Sequence, residues 1–262
     1  MMILLVNDDG IKAPGLRVFA ADLRRITGQA VLVVAPHQQC SGQSHAITLD
    51  RGLVIEPHLE EDFFGFSVDG TPTDCLKLAL KVLCKTPPRL VISGINDGPN
   101  VGRSLFYSGT VAVAMEAAIE GQLAIAVSLD HGDTDRGDGV MAQASIYAAR
   151  FVRQCLGVRR LGGMVLNLNL PGMPVRRWQP LAMVRHGLSG FDESYSAVQG
   201  GSHITWKLSG ERVELDSEGD TDAHRLAAGH PTLSVLRPDC NAAEGVLGKR
   251  LAQRLSSLMT GE

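Results

Sequence analysis

The clearest indication of the fold is the sequence Ile3-Leu4-Leu5-Val6-Asn7-Asp8-Asp9-Gly10. Its apolar half predicts a strand buried on both faces, as in a parallel sheet, and its polar half predicts the turn that ends the strand. In open α/β sheets, ligands bind in the crevice at the carboxyl ends of the strands. Asp8 and Asp9 are therefore expected to face a ligand crevice.

The adjacent carboxylates of Asp8 and Asp9 admit two interpretations. Two aspartates that lose hydration repel each other, so a bound cation or a raised pKa would be needed to keep the arrangement tolerable. The same residue types, Asn-Asp-Asp-Gly, also suit an ordinary solvated turn. From this stretch alone, a metal site and a plain turn both stay open.

Length and composition favour a globular enzyme. The 262 residues suffice for one large α/β domain with an extension, or for two small domains. The net charge of -3 gives no electrostatic reason to expect a nucleic-acid or membrane partner. The 5 cysteines form no CxxC pair, which predicts reduced thiols and disfavours a zinc site. No membrane span or signal peptide is recognised, so a cytoplasmic location is expected.

Strand and helix patterns alternate from residue 3 to about residue 171. After the first strand, further buried strands are expected at 31–35, 90–93, 123–128 and 164–170. Helices are expected at 15–27, with Pro14 at the entry, and at 72–83, 111–120 and 140–156. This alternation predicts an α/β fold with a Rossmann-like, doubly wound, mainly parallel sheet, which forms a core over residues 1–171.

Two regions depart from the alternation. Residues 47–68 are expected to form a hairpin-like excursion at the sheet edge, with a solvated acidic turn at 60–62. Residues 172–262 form the predicted C-terminal extension. Its expected elements are a β-hairpin of strands 203–208 and 212–216 around the turn Ser209-Gly210-Glu211, a strand at 233–236 and a closing helix at 242–258. The extension has no obvious core of its own, so it is expected to pack on the main domain or on another subunit.

Three more polar stretches lie at the ends of expected strands or at the start of a helix. They are 36–44 after the second strand, 94–100 after the strand at 90–93, and 107–110 before an Ala-rich helix. The helix start offers free N–H groups and two hydroxyls, which could hold an anion such as phosphate. Turn chemistry, or N-capping by Ser108 or Thr110, would explain the same residues without a ligand.

Five motifs occur in order within the first ~170 residues, and together they are far more specific than any one of them. They are Asn7-Asp8-Asp9-Gly10, Ser41-Gly42, Gly70-Thr71-Pro72-Thr73-Asp74-Cys75, Ser93-Gly94-Ile95-Asn96-x-Gly98-x-Asn100 and Tyr107-Ser108-Gly109-Thr110-Val111. With these motifs the chain resembles the SurE family of survival-protein nucleotidases.

The resemblance implies a phosphomonoesterase that hydrolyses nucleoside 5'- and 3'-monophosphates with one divalent metal cation. It implies the metal ligands Asp8, Asp9, Ser41 and Asn96. All four are oxygen donors, which suits Mg²⁺ or Mn²⁺. Members of the family are described as dimers or tetramers, so a homodimer or homotetramer is expected.

A metal-dependent hydrolysis assigns roles to further residues. The cation would neutralise a phosphoryl oxygen and acidify a water molecule, and the catalytic residue Asp8 or Asp9 would hold that water or take its proton. Helix-start and loop groups would grip the substrate. The expected substrate-binding residues are Gly42, Ser44, Asn100, Ser108, Gly109 and Thr110.

The second loop departs from the family pattern, which commonly has Asp-Arg where this chain has His37 and Gln38. A carboxylate and a guanidinium are thus missing near Ser41, which bears on charge pairing and on substrate preference.

Two other classes of protein share part of the pattern. A receiver-type signalling domain also binds Mg²⁺ through acidic residues after its first strand, but it needs an aspartate where this chain has Ser93-Gly94. A regulator that binds metal and nucleotide without turnover fits the residue types equally well.

Overall fold

The structure, a computed structural model, describes residues 2–130, 139–158, 163–200, 203–213 and 219–239. Within these ranges, no helix combines the length and the apolar character that a membrane span requires. The expected closing helix at 242–258 lies outside the described residues. The cytoplasmic location stays a prediction.

Eleven strands and five α-helices make up the described fold. The strands are β1 (Met2–Val6), β2 (Ala30–Pro36), β3 (Ile55–Glu60), β4 (Phe63–Val68), β5 (Leu90–Asp97), β6 (Ala124–Leu129), β7 (Val165–Leu170), β8 (Ala182–Met183), β9 (Gly190–Gly200), β10 (His203–Val213) and β11 (Thr232–Leu236). The helices are α1 (Pro14–Thr27), α2 (Pro72–Leu78), α3 (Gly109–Ile119), α4 (Val140–Cys155) and α5 (Asp222–Ala227). A π-helical turn, Ala79–Leu83, continues α2, and short 3-10 helices occur at Gly102–Tyr107 and Val175–Arg177.

Nine strands form one sheet in the order β3-β4-β2-β1-β5-β6-β7-β11-β8. The run from β4 to β7 is parallel throughout. Antiparallel pairs occur towards the edges, where β3 pairs with β4 and β11 pairs with β7. The expected mainly parallel sheet and the hairpin-like excursion at its edge are thus confirmed.

Helices cover both faces of this sheet, as a doubly wound fold requires. On one face, Phe19 of α1 and Val152 of α4 belong to the same buried cluster. On the other face, Leu76 of α2 and Val113 of α3 are buried against the sheet. The helix that follows β1, α1, packs on one face, and the helix that follows β5, α3, packs on the other. The topological switch point therefore lies between the carboxyl ends of β1 and β5.

The strand β5 is longer than the sequence predicts, and its expected end at Ser93 is wrong. After an irregularity, β5 pairs with β6 again at Asn96 and Asp97. Gly94, which suggested a turn, has a φ of +132°, and a Cβ there would lie 2.2 Å from the Val127 carbonyl oxygen. Close approach between two strands therefore explains this glycine.

The expected C-terminal hairpin is present, but its strands and turn differ from the prediction. β9 and β10 pair along their full eleven residues in a separate two-stranded sheet. The turn expected at Ser209-Gly210-Glu211 is wrong, because these residues lie inside β10 opposite Asp192, Glu193 and Ser194. Serine and glycine are weak turn signals where a long ladder of cross-strand pairs fixes the backbone.

Candidate active site

The acidic turn after β1 is closed by Asn7. The buried Asn7 amide accepts a hydrogen bond from the Gly10 N–H and donates one to the Gly10 carbonyl, both at 3.2 Å. Gly10 has a φ of +95°, a backbone conformation that favours glycine. This turn holds Asp8 and Asp9 at the switch point, where ligands of such sheets bind.

The Asp8 side chain lies against the N-terminal end of α3. It is 3% exposed, and the Thr110 hydroxyl donates to its Oδ1 at 2.5 Å. Burial raises the pKa of Asp8, whereas hydrogen bonds from Thr110 and from the backbone of Gly109 act in the opposite direction. The ionised carboxylate is therefore only partly compensated, and a bound cation would favour it further.

Gly109 permits this close approach between Asp8 and α3. A Cβ at position 109 would lie 2.9 Å from both the Cβ and the Oδ2 of Asp8, and 3.1 Å from the Pro72 side chain. Real Cβ atoms essentially never lie within 3.0 Å of another heavy atom, because van der Waals repulsion rises steeply at such distances. The missing side chain at position 109 is thus a requirement of the Asp8 position.

Asp9 follows β1 and contacts the end of β5, the strand that carries Asn96. Asp9 accepts a hydrogen bond from the backbone N–H of Asp97 at 3.3 Å, which links the turn after β1 to the end of β5. The Asn96 amide nitrogen donates to the Gly98 carbonyl at 2.7 Å. That bond leaves the Asn96 amide oxygen as the atom suited to a cation.

The loop after β2 crosses the acidic turn and carries Ser41. The Cys40 N–H donates to the Asp8 carbonyl oxygen at 2.8 Å, which fixes the loop at this point. The exposed Ser41 hydroxyl accepts a hydrogen bond from the Gln39 amide at 2.9 Å. Gly42 is exposed with a φ of +74° and has open space around it.

Side-chain contacts of Ser44 and His45 help to hold the far end of this loop. The Ser44 hydroxyl donates to the Phe106 carbonyl at 2.8 Å. The His45 ring lies 2.9 Å from Glu116, a glutamate of α3 that is only 8% exposed. Lys77 donates to the other Glu116 oxygen at 2.5 Å. Burial opposes ionisation of Glu116, but the hydrogen bonds from Lys77 and His45 outweigh it and lower its pKa.

Sequence reasoning did not single out Glu116, Lys77 or His45. The signal that could have found Glu116 is a charged residue in the Ala-rich, otherwise apolar helix α3. A buried charge is rarely tolerated without a partner, so such a glutamate predicts a contact with a cation or a strong donor.

Of the three helix-start residues that could hold a phosphate, Gly109 and Thr110 contact Asp8 in this structure. Ser108 is the N-cap of α3, and its hydroxyl accepts a hydrogen bond from the Val111 N–H at 3.0 Å. Thr110 and Gly109 contact the Asp8 carboxylate. Their role in substrate binding stays a prediction.

Asn100 is 5% exposed and belongs to a buried network at the ends of β6 and β7. Its amide donates to the Ser128 hydroxyl at 2.8 Å, and its N–H donates to Asn169 at 2.7 Å. The amides of Asn167 and Asn169 donate to its carbonyl oxygen at 3.0 and 3.2 Å. These contacts position the turn after β5, and substrate binding by Asn100 also stays a prediction.

The donor set at the switch point suits a hard cation. In the part of the chain that the structure describes, no three His, Cys, Asp or Glu side chains form a group that could hold a metal ion. The expected ligands are two carboxylates, a hydroxyl and an amide oxygen. Such a set of oxygen donors, completed by water, matches Mg²⁺ or Mn²⁺ and not zinc.

Fold and site together define a Rossmann-like α/β protein with a carboxylate pair at its topological switch point. The family model described as "Survival protein SurE" matches residues 3–193. The chain therefore belongs to the SurE family, and the resemblance found in the sequence motifs is confirmed.

Similar proteins match along nearly the whole chain. The chain is 36% identical over 260 residues to "5'-nucleotidase SurE" of Desulfitobacterium hafniense (strain DSM 10664 / DCB-2), with 98% of each chain covered. It is 38% identical over 251 residues to the protein of the same name from Maridesulfovibrio salexigens, covering 94% of this chain and 96% of that one. The crystal structure of the SurE protein from Aquifex aeolicus aligns with a TM-score of 0.80 at 28% identity, covering 97% of this chain and 100% of that chain.

Proposed function

We propose that this protein is a nucleotidase that hydrolyses nucleoside 5'- and 3'-monophosphates to a nucleoside and inorganic phosphate, with one divalent cation. The names of relatives that are 36–38% identical over most of the chain support the 5'-nucleotidase activity. The observation that carries the site is the buried Asp8 carboxylate beside Asp9 at the switch point. A buried carboxylate whose negative charge is only partly stabilised by hydrogen bonds, and which lies in a ligand crevice, is a typical feature of a functional site.

Asp8, Asp9, Ser41 and Asn96 would hold the cation. When bound, Mg²⁺ or Mn²⁺ would neutralise charge on a phosphoryl oxygen and make a coordinated water more acidic. Thr110 keeps the Asp8 carboxylate in one orientation through its hydroxyl.

The chain's own groups then carry out the proton transfers. Asp8 or Asp9 takes a proton from the attacking water, whose oxygen forms the new bond to phosphorus as the ester P–O bond breaks. The leaving nucleoside oxygen takes a proton from solvent water and departs as a hydroxyl, and the carboxylate returns its own proton to the solvent. The N-terminal end of α3 adds a favourable field for the phosphoryl anion.

Phosphate release from a panel of 5'- and 3'-nucleoside monophosphates tests the proposal. After exhaustive chelation we expect no release, and addition of Mn²⁺ or Mg²⁺ should restore it. Asp8→Asn and Asp9→Asn should lower kcat/KM by about a thousandfold, because charge that balances the ion is lost. Asp62→Asn, in the β3–β4 turn, is the control and should be unaffected.

Two outcomes would contradict this function. Full turnover after chelation would rule out a requirement for the divalent cation. Nucleotide binding without phosphate release at any cation concentration would instead support a regulator that binds nucleotide without turnover.

The β9–β10 ribbon supports a further proposal, that the protein is a homodimer or homotetramer. Residues directly opposite each other in an antiparallel pair share a face, as do alternate residues of one strand. Five apolar side chains on a single face of the ribbon are each more than half exposed. They are Phe191, Tyr195, Ile204, Trp206 and Leu208. An apolar face of this kind typically marks a protein contact.

Light scattering on the full chain tests this proposal. We expect an oligomer at micromolar concentration, and the double variant Ile204→Ser/Trp206→Ser should shift it towards the monomer. The control Thr205→Ser/Lys207→Ser alters the opposite face of the same strand and should leave the oligomer intact. A monomeric full-length protein would rule the proposal out.

A further inference from the structure

A polar cavity of about 170 Å³ lies at the carboxyl ends of β2 and β4. Its lining includes Gln38 and Gln43 from the loop after β2, and Arg51 and Asp69 from either side of the β3–β4 pair. None of these four side chains has a role in the site described above.

The cavity adjoins the acidic turn directly. Cys40 lines the cavity, and its N–H donates to the Asp8 carbonyl oxygen at 2.8 Å. The backbone of Gln38 lies against Gly10, where an added Cβ would be 3.1 Å from the Gln38 carbonyl carbon. A ligand whose phosphate lies at Asp8 and Asp9 can therefore extend its remaining part into this cavity.

Asp69 offers acceptor capacity at the cavity rim. Arg51 holds the Asp69 carboxylate with hydrogen bonds of 3.0 and 3.4 Å. The two side chains are 45% and 64% exposed, so solvent screens this ion pair and it can rearrange when a ligand binds. An ionised carboxylate has about four lone-pair positions, so two stay available to neighbouring hydroxyl groups of a sugar.

The two glutamines supply adaptable contacts. No hydrogen bond from the side-chain amide of Gln38 or Gln43 occurs among the residues that the structure describes. Each amide has a donor end and an acceptor end, and rotation of the side chain presents either one. Contacts of this kind tolerate different bases, because they match both kinds of hydrogen-bonding edge.

We infer that this cavity is the nucleoside subsite of the active centre, an inference that rests on the proposed nucleotidase function. Asp69 accepts hydrogen bonds from the ribose hydroxyls, and Gln38 and Gln43 contact the base. The cavity is smaller than the roughly 300–1,000 Å³ of pockets that enclose a whole drug-sized ligand. It therefore fits the ribose and leaves the base partly exposed, so the enzyme recognises the sugar more strictly than the base.

Kinetics with three substrates test the subsite: adenosine 5'-monophosphate, its 2'-deoxy form and p-nitrophenyl phosphate. Asp69→Ala should lower kcat/KM for the ribonucleotide about tenfold, mainly through KM, which corresponds to about 1.4 kcal/mol. The aryl phosphate, which has no ribose, should change by less than about twofold. The preference for the ribonucleotide over the deoxynucleotide should disappear in the variant.

The control is Asp62→Ala, which lies at the opposite end of β4 and should affect none of the substrates. Equal losses for the nucleotides and the aryl phosphate, or no loss at all, would overturn the subsite while the nucleotidase function stands. A selective nucleotide loss in Phe106→Ala instead would also overturn it, because Phe106 lines a different cavity, of about 270 Å³, beside α3.

Calorimetry with adenosine alone separates the two proposals if no nucleotide is hydrolysed. Adenosine should bind the full chain, and Asp69→Ala should weaken that binding about tenfold. Absence of adenosine binding to the unaltered protein, or equal binding to the variant, would overturn the subsite on its own.

Discussion

The expected active site has two halves that are held in very different ways. The buried half consists of Asp8, Gly109 and Thr110, which contact one another between β1 and α3. The loop half consists of Ser41, Gly42 and Ser44, which lie on the loop after β2. Asp8 is 3% exposed, whereas Ser41 and Gly42 are exposed.

The buried residues set the geometry of the site, and the loop residues adjust to it. In the buried half, packing and hydrogen bonds fix the carboxylate before any ligand binds, which is preorganisation. The loop half is held mainly by hydrogen bonds, such as those of Ser44 with Phe106 and of His45 with Glu116, each worth on the order of 1 kcal/mol. Substitutions in the buried half should therefore have larger effects than those that loosen the loop.

Among the substitutions that test this comparison, the largest effect is expected for Gly109→Ala. The new Cβ would lie 2.9 Å from the Asp8 side chain and displace its carboxylate. A displacement of about 1 Å at a reacting group can lower the rate about a hundredfold, so kcat/KM should fall by at least that factor. Gly157→Ala, after α4, meets only an ordinary contact at 3.5 Å and is the control. Unchanged kcat/KM in Gly109→Ala would show that the buried half is not rigid.

A smaller loss is expected for Thr110→Val, which keeps the shape of the side chain but removes the hydrogen bond to Asp8. Residues that orient a metal ligand typically contribute about 10–100-fold to metal affinity or activity. Calorimetric titration with Mn²⁺ should show that loss, and Thr110→Ser should restore most of the affinity. Weaker inhibition by inorganic phosphate with unchanged metal affinity would instead assign Thr110 to the phosphate.

The smallest effect on catalysis is expected for Glu116→Gln, which weakens the hydrogen bond between Glu116 and His45 of the loop. The fold should lose about 1–2 kcal/mol at neutral pH, because hydrogen bonds to a buried charged group are weakened. The loss in kcat/KM should stay below about tenfold. Glu120→Gln, at the C-cap of the same helix, removes the more exposed ion pair with Lys81 and serves as the control.

The pH dependence of this stability difference follows from the lowered pKa of Glu116. The unfolded chain gains its proton near the ordinary value of 4.5, before the folded protein does. The stabilisation is therefore present above that pH and is lost as the pH falls through the lower, folded-state pKa. Urea unfolding of both proteins should show a difference that persists at about pH 6 and shrinks below about pH 4.5. A difference that grows on acidification would contradict the assignment.

Features with a local signal could be predicted from the sequence. The apolar run of β1 and the one-sided apolar pattern of α1 after Pro14 define these elements without reference to distant residues. The proximity of Asp9 to the end of β5, where Asn96 lies, follows from the rule that neighbouring parallel strands end at the same edge of the sheet. Both the core architecture and the region of the site were accessible in this way.

Features that depend on distant partners could not be predicted. Thr110 contacts Asp8 across 102 positions of the chain, and no local pattern indicates that α3 would face a carboxylate. Gly94 has the composition of a turn, but its role is set by Val127 on the neighbouring strand. The tether of His45 to Glu116 likewise exists only once the loop after β2 has packed over α3.

The register of the β9–β10 ribbon, meaning which residues of the two strands lie opposite each other, is only weakly specified by the ribbon itself. A shift of one residue between the strands would turn every side chain of one strand to the other face and place Trp206 beside Ser196 and Val198. Burial normally prevents such slippage, but Trp206 is 62% exposed in the single chain. If the protein assembles as proposed above, a newly synthesised chain carries a strand pair that can slip or join another chain until assembly covers the apolar face, and the timing of assembly then sets how much protein reaches the correct register.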